Sequence, residues 1–186
     1  MGKMNILQKS LAHLLLVLFR KEILTKLFKA TADAFECPAP RLYHLSYDDC
    51  LRTYAEFTRE QAESTHQSGR DISVIKSRLY EKAYPLGAKI RKWFGVDALE
   101  EVMALGRILY EAIGVDMRGD SQGNMAVKNC YYSQFYSGRV CGLISAMDDG
   151  VFSGLSGGGR LVFSERLTEG KGSCRAKLQV VIEGTR

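Results

Sequence analysis

The strongest constraint on the fold is a strictly alternating stretch that begins at Cys174 and runs to Ile182. Apolar residues occupy every second position, and mostly charged or amide side chains stand between them. A period of two is typical of a strand with one buried and one solvated face. Leu161 and Phe163 alternate in the same way, and a glycine-containing segment, 168–173, joins the two runs. The pattern therefore predicts an antiparallel hairpin near the end of the chain.

A helix is predicted directly before this hairpin. Apolar side chains recur there at three- and four-residue spacing, at Val140, Ile144, Met147 and Val151, as on one face of an α-helix. The glycine-rich segment 153–159 is expected to connect this helix to the hairpin. Because that segment leads into a strand and not into a helix N-terminus, it does not match a phosphate-binding loop.

The first two thirds of the chain are predicted to be mostly helical, from apolar residues at helical spacing. The predicted helices cover 5–29, 47–66, 72–94 and 98–113. The expected helix caps are Ser46 with Asp49, Asp71 alone, and Asp97 with Glu100. Residues 117–123 are predicted to form a polar loop and residues 125–132 a short strand.

These elements together predict an α+β fold. The N-terminal helices are expected to pack on a small antiparallel sheet, with one helix inserted before the C-terminal hairpin. A chain of 186 residues fits a single domain over 1–186. Its expected parts are a basic amphipathic helix in 1–30, a helical part over 31–116 and a cysteine-containing α/β part over 124–183.

The net charge of +5 belongs to the first predicted helix. Residues 1–30 hold six basic and one acidic side chain, whereas the rest of the chain holds 20 of each. A neutral body without basic residues between its aromatic ones argues against nucleic-acid binding. The first helix is expected to serve in the core or in a homodimer interface, with contact to a membrane surface as the alternative. Its helical periodicity continues through Arg20, Lys21 and Glu22, which argues against a signal peptide.

The five cysteines indicate reduced thiols in a cytoplasmic protein and not a disulfide scaffold. Cys130, Cys141 and Cys174 lie too far apart in sequence for the paired CxxC spacing of structural zinc sites. Three interpretations remain open for them: inert buried residues, a reactive thiol, or a zinc or iron site completed by His44 or an aspartate. No bound cofactor is the expectation.

Cys130 is the best candidate for a reactive thiol. It ends a predicted strand and precedes Tyr131 and Tyr132, where a position facing a pocket is natural. A thiolate there needs a nearby cation to lower its pKa, and Arg139 or Arg166 could supply one.

Several polar residues are candidates for the rest of a site. Arg160 or Arg166 has the forked donor geometry that holds a carboxylate, and a solvated strand position is the alternative for each. His44 is the candidate acid or base among the histidines. Asp148 and Asp149 point about 100° apart on a helix, so they are not expected to act as a pair. One of them is expected to cap the helix or hold Arg166, and the other to face solvent.

Aromatic residues cluster around the predicted sheet, where they either fill the core or line an apolar ligand cavity. They are Tyr131, Tyr132, Phe135, Tyr136, Phe152 and Phe163.

The segment from Cys130 to Cys174 resembles the C-terminal region of the L-2-amino-thiazoline-4-carboxylate hydrolase family. In that family a first cysteine is followed by a second at similar spacing, and an arginine-containing strand leads to a leucine, a glycine and a final cysteine. The matching residues are Cys130, Cys141, Arg166, Leu167, Gly170 and Cys174. The spacing of Gly170 and Cys174 is also similar to that in 4-vinyl reductase-like small-molecule-binding domains, which share related architecture with the vesicle-tethering TRAPP subunits.

The first resemblance implies a hydrolase that opens a small cyclic amidine or a related C–N bond, with Arg166 placing a substrate carboxylate. Such chemistry needs an activated water or a thiolate, and an acid for the departing nitrogen. The second resemblance implies the alternative, a non-catalytic module that encloses an apolar ligand. The predicted catalytic residues are Cys130, Cys141 and His44, and the predicted substrate-binding residues are Arg160, Arg166, Tyr131, Tyr132 and Cys174.

Overall fold

The computed structural model describes residues 20–180 together with Leu14 and Leu18. Most of the predicted first helix therefore lies outside the described residues. Its described part is helix α1, Arg20–Phe35, which extends beyond the predicted end at residue 29. The helices that follow are α2 Tyr47–Gln67, α3 Ile72–Phe94, α4 Leu99–Glu111 and α5 Gly138–Ser156. No helix in the described part of the chain is long and apolar enough to cross a lipid bilayer.

Side-chain caps begin α2 and α3 as predicted. Ser46 Oγ accepts a hydrogen bond from the backbone N–H of Asp49 at 3.1 Å. Asp71 Oδ1 accepts one from the backbone N–H of Ser73 at 2.8 Å. Each cap satisfies a backbone donor that the first turn of a helix leaves free.

The start of α4 differs from the prediction of Asp97 with Glu100. The helix begins after Ala98, and the carboxylate of Glu101 accepts hydrogen bonds from the backbone N–H groups of Asp97 and Ala98, each at 3.2 Å. Asp97 instead pairs with Arg91 at 3.1 Å. The acidic side chain at the third helical position reaches back to the backbone N–H groups just before the helix, whereas the Asp97 side chain, which precedes the N-cap residue Ala98, accepts from Arg91 instead.

A four-stranded antiparallel sheet begins after α4, which confirms the α+β fold. Its strands are β1 Val115–Gly119, β2 Asn124–Cys130, β3 Arg160–Glu165 and β4 Cys174–Gln179, in the order β1-β2-β4-β3. The predicted hairpin is β3 and β4, with Leu161 opposite Leu178. The alternation along β4 is also confirmed, because Cys174, Ala176 and Leu178 are buried and the residues between them are exposed.

The sequence pattern does not predict the edge strand β1, and part of this strand lies in the predicted loop 117–123. It offers only Val115 and Met117 as buried alternating residues, too few for a clear period of two. The true turn is shorter and is organised by Asp120, whose Oδ1 accepts from the backbone N–H groups of Gln122 and Asn124 at 2.9 Å each.

Helix α5 is inserted between β2 and β3 as predicted, but it extends to Ser156 and shortens the expected connector to three glycines, 157–159. Residue 154, inside the helix, is a glycine because a Cβ there would overlap the carbonyl oxygen of Tyr84 on α3. In turn, a Cβ on Gly87 of α3 would overlap the carbonyl oxygen of Val151. Glycines at this crossing let the two helix backbones touch.

The buried core joins the helices to one face of the sheet. Phe28 of α1 packs edge-on against Tyr54 of α2, with 4.8 Å between ring centroids. Ile75 and Leu79 of α3 are fully buried together with Leu143 of α5. Between these packed regions lies the space that forms the candidate site.

Candidate functional site

A cavity of about 370 Å³ lies between α1, α3, α4, α5 and the sheet. Its walls are mostly apolar, and among them are Ile23, Leu27, Ile90, Ile113, Val127 and Phe163. The exposed members of the lining are Glu22 on α1 and Lys89 and Trp93 on α3. The cavity therefore opens between α1 and α3. Its volume falls within the range of small-molecule sites, about 300–1,000 Å³.

One face of α5 brings polar groups to the inner end of this cavity. Cys141, Ser145 and Asp148 follow one another at helical spacing and all line the cavity. Asp148 lies in the middle of α5 and not near its end, since the helix continues to Ser156. The hydroxyl of Tyr110 on α4 donates a hydrogen bond to Asp148 Oδ1 at 2.6 Å.

Close packing of α4 on α5 explains this short contact. The Tyr110 ring meets Phe152 edge-on, with centroids 5.6 Å apart. Phe152 is completely buried, and a Cβ on Gly106 would lie only 2.6 Å from its ring. A side chain at residue 106 would therefore push α4 away from α5 and pull the tyrosine hydroxyl off the carboxylate.

Burial raises the pKa of Asp148 to about 6. Removal from water is the main cause, because the charged form of a carboxyl loses its hydration inside the protein. The hydrogen bond from Tyr110 and the positive charge of Arg166 lower the pKa in part, and the negative charge of Asp149 raises it. Asp148 keeps some accessible surface because it faces the cavity, although protein surrounds it. It therefore changes charge close to neutral pH.

The hydroxyl of Tyr132 is a polar group in the cavity wall without a hydrogen-bond partner. Its side chain is 7% exposed, and its hydroxyl is buried without a hydrogen bond. The ring is held between Tyr136, stacked at 5.7 Å, and Tyr54, edge-on at 5.9 Å. A buried hydroxyl without a partner costs free energy, so this group is available to a ligand.

The structure brings the three candidate cysteines to this one cavity. Cys130, Cys141 and Cys174 all contribute to its lining. Burial raises the pKa of Cys130 to about 12 and that of Cys141 to about 11, and it also raises the pKa of Cys174. The positive charge of Arg166 lowers the pKa of Cys141 only in part. These thiols stay protonated at neutral pH, which disfavours the thiolate that nucleophilic catalysis needs.

Arg166, a predicted substrate-binding residue, lies beside the cavity and is not part of its lining. Its Nη2 is 3.4 Å from Ser145 Oγ and its Nη1 is 3.5 Å from Glu169 Oε1, while Nε is buried without a partner. The guanidinium carbon sits 5.0 Å from the centre of the Phe163 ring. Arg166 is thus an incompletely satisfied donor close to Asp148.

Arg160 and Asp149 form a separate pair at the surface. Arg160 Nη2 and Asp149 Oδ2 are 2.7 Å apart, and Arg160 also lies over the ring of Tyr80 at 4.8 Å. Asp149 also accepts from the backbone N–H of Leu161 at 2.7 Å. Arg160 does not line the cavity. Of its two interpretations, the structure therefore agrees with the solvated strand position and not with a substrate-binding residue. The two carboxylates of α5 point apart, as their adjacency on a helix requires.

His44 and Tyr131 lie outside the lining of the cavity. His44 is exposed before α2 and packs on Tyr43, with 3.5 Å between ring centroids. It is therefore not placed to act as an acid or base beside the cysteines that line the cavity. Tyr131 contacts Phe135 instead, with centroids 5.4 Å apart.

The predicted aromatic cluster divides into three groups, one of which is the Tyr131–Phe135 pair outside the cavity lining. Tyr132, Tyr136 and Phe163 line the cavity. Phe152 is part of the core beneath it. Sequence reasoning missed Tyr110 and the role of Asp148 in the cavity. The helical spacing of Cys141, Ser145 and Asp148 was the available indication, because it places all three on one face of α5.

Within residues 20–180, Leu14 and Leu18, no group of three or more histidine, cysteine, aspartate or glutamate side chains is placed to hold a metal ion. Comparison of the chain with protein-family models, with curated proteins and with solved structures found no match.

Proposed function

We propose that this protein binds an apolar small molecule in the cavity between α1, α3, α4, α5 and the sheet. The observation that carries the proposal is the cavity itself, about 370 Å³ with a mostly apolar wall. An apolar ligand that replaces water against the wall of such a cavity binds with a favourable free energy. The few polar groups in the wall would then fix the ligand's orientation.

The state of the cysteines favours binding over thiol catalysis. Cys130 and Cys141 have pKa values raised by burial to about 12 and about 11. A catalytic thiol instead shows a pKa lowered by a nearby cation or a helix N-terminus. His44, the predicted acid or base, lies outside the cavity lining.

The test is native mass spectrometry of the purified protein beside the denatured protein, together with metal analysis. A bound molecule that is present in the native mass and released on denaturation supports the proposal. Two tryptophan variants then locate the bound molecule. Ile113→Trp places an indole ring in the cavity next to the end of α4. Val74→Trp, the control, places the same ring at an exposed position of α3. Loss of the molecule from Ile113→Trp alone would locate it in the cavity. Equal retention by both variants would contradict the proposal.

A second candidate is hydrolysis of a small cyclic amidine, and Asp148 is the observation that favours it. A carboxylate with a pKa of about 6 in a cavity has the properties of a general base. It would take a proton from water as the water oxygen bonds to the amidine carbon, and return the proton to nitrogen as the C–N bond breaks. The assay is turnover of thiazoline carboxylates by the unmodified protein, by Asp148→Asn and by Cys130→Ser. Turnover that survives Asp148→Asn would exclude this role.

A further inference from the structure

Asp148 places a carboxylate inside an apolar cavity without a countercharge in contact with it. Oδ1 accepts from Tyr110, and no hydrogen bond from the described residues reaches Oδ2. No basic side chain among residues 20–180 forms an ion pair with Asp148; Arg166 acts on it only through space. A charge held this way is costly unless a partner arrives.

The charged side chains at the mouth of the cavity, unlike Asp148, already have partners. Lys26 already pairs with Glu22 at 2.6 Å, and Lys89 lies 4.7 Å from the centre of the Trp93 ring. These side chains are largely solvated, so they contribute little to holding an anionic ligand. The carboxylate of Asp148, at the inner end, is therefore the charged group of the cavity lining that most lacks a partner.

We propose that the ligand of this cavity is an apolar molecule with a protonated amine, whose N–H group donates to Asp148 Oδ2 while its body lies against the apolar wall. This inference rests on the proposed function and specifies its ligand. The unpartnered Tyr132 hydroxyl offers a second polar contact on the same wall. A cationic nitrogen would donate a charge-assisted hydrogen bond to Oδ2, so that both carboxylate oxygens of Asp148 would have a partner.

Ionisable groups on several elements face Asp148. They are Tyr54, Tyr110, Cys130, Cys141, Cys174, Asp149 and Arg166. Burial raises the pKa values of the tyrosines and of the cysteines, so all of these stay neutral between pH 5 and 8. Asp149 is paired with Arg160 at the surface. Asp148 is thus the group facing the ligand whose charge changes in this range.

The test compares three probes with the same ten-carbon chain: decylamine, decanol and decanoic acid. Their affinities are measured by isothermal titration calorimetry at pH 7.5, with the whole protein stripped of any co-purified molecule. We expect decylamine to bind at least about tenfold more tightly than decanol, as a hydrogen bond to a charged group predicts. Asp148→Asn should remove this advantage, whereas Asp149→Asn removes a carboxylate from the same helix outside the cavity and should leave it intact.

The pH dependence of the unmodified protein gives a measurement that needs no variant. Decylamine stays cationic at pH 5 and 7.5, because an alkylammonium resembles lysine, with a pKa of about 10.4. With the pKa of Asp148 at about 6, its protonation should weaken decylamine binding by about fivefold to tenfold at pH 5 and leave decanol binding unchanged. Equal affinities for the amine and the alcohol, or tightest binding of decanoic acid, would overturn the cationic ligand but not the apolar site. Failure of all three probes to bind would overturn the proposed function itself.

Discussion

Replacing Asp148 with asparagine should stabilise the protein, and the gain should depend on pH. The folded protein holds the pKa of Asp148 at about 6, above its ordinary value of 3.8, so the folded state binds this proton more readily than the unfolded state does. Its contribution to stability is therefore fully present below about pH 4 and is lost as the pH rises to about 6. The difference between the two pKa values corresponds to about 3 kcal/mol. Because Asp148 keeps some accessible surface, its desolvation is incomplete and we expect a smaller gain, about 2 kcal/mol.

The assay is urea denaturation of the ligand-free protein and of Asp148→Asn at pH 4, 5, 6 and 7.5. The amide oxygen can still accept the hydrogen bond from Tyr110, so the packing of α4 on α5 is retained. Because both proteins share all other carboxyl groups, the difference between them isolates residue 148. We expect no difference at pH 4 and a more stable variant at pH 7.5. A variant that is less stable by the same amount at every pH would refute the reasoning.

Other substitutions test the same geometry. Tyr110→Phe removes a hydrogen bond that lowers the pKa of Asp148, so the carboxyl titration seen by carbon NMR should move above pH 6; an unchanged midpoint would contradict the contact. Gly154→Ala should destabilise the protein by at least about 2 kcal/mol in thermal unfolding, because its Cβ meets the backbone of α3. Gly142→Ala, in the same helix with open space around it, should be neutral or stabilising by up to about 1 kcal/mol, and equal melting temperatures for the two variants would count against the helix crossing. Alkylation of Cys130 at neutral pH should be about a thousandfold slower than that of an ordinary thiol and should recover on unfolding, as measured by mass spectrometry of the labelled peptide.

The sequence predicted those elements whose period reflects a single buried face. β4 shows this most clearly, since Cys174, Ala176 and Leu178 all face the core. Helix α5 was likewise predicted from its apolar spacing, although its end was placed too early. Gly154 favours a loop by local propensity, yet it lies inside the helix, and the close approach of α3 explains why this position is a glycine. Local patterns cannot report such a neighbour.

The cavity was less predictable than the fold, because it depends on contacts between distant residues. The cysteines were placed near the site from a resemblance, and all three do line the cavity. Their protonation state depends on burial by several elements at once, which spacing cannot show. Asp148 and Asp149 are identical neighbours in sequence, yet one faces the cavity and the other pairs with Arg160 outside it. The contact with Tyr110 on α4 separates them.

The insertion of α5 between β2 and β3 has a consequence for the order of folding. Each of the two hairpins can form from neighbouring residues, but the central pairing joins Val127 to Cys174 across the whole of α5. Such non-local pairing is slow, because the intervening chain must be ordered before the contact forms. Since both hairpins contribute to the lining, the cavity exists only after this joining step. A molecule that fills the cavity should therefore slow unfolding and leave the folding rate almost unchanged.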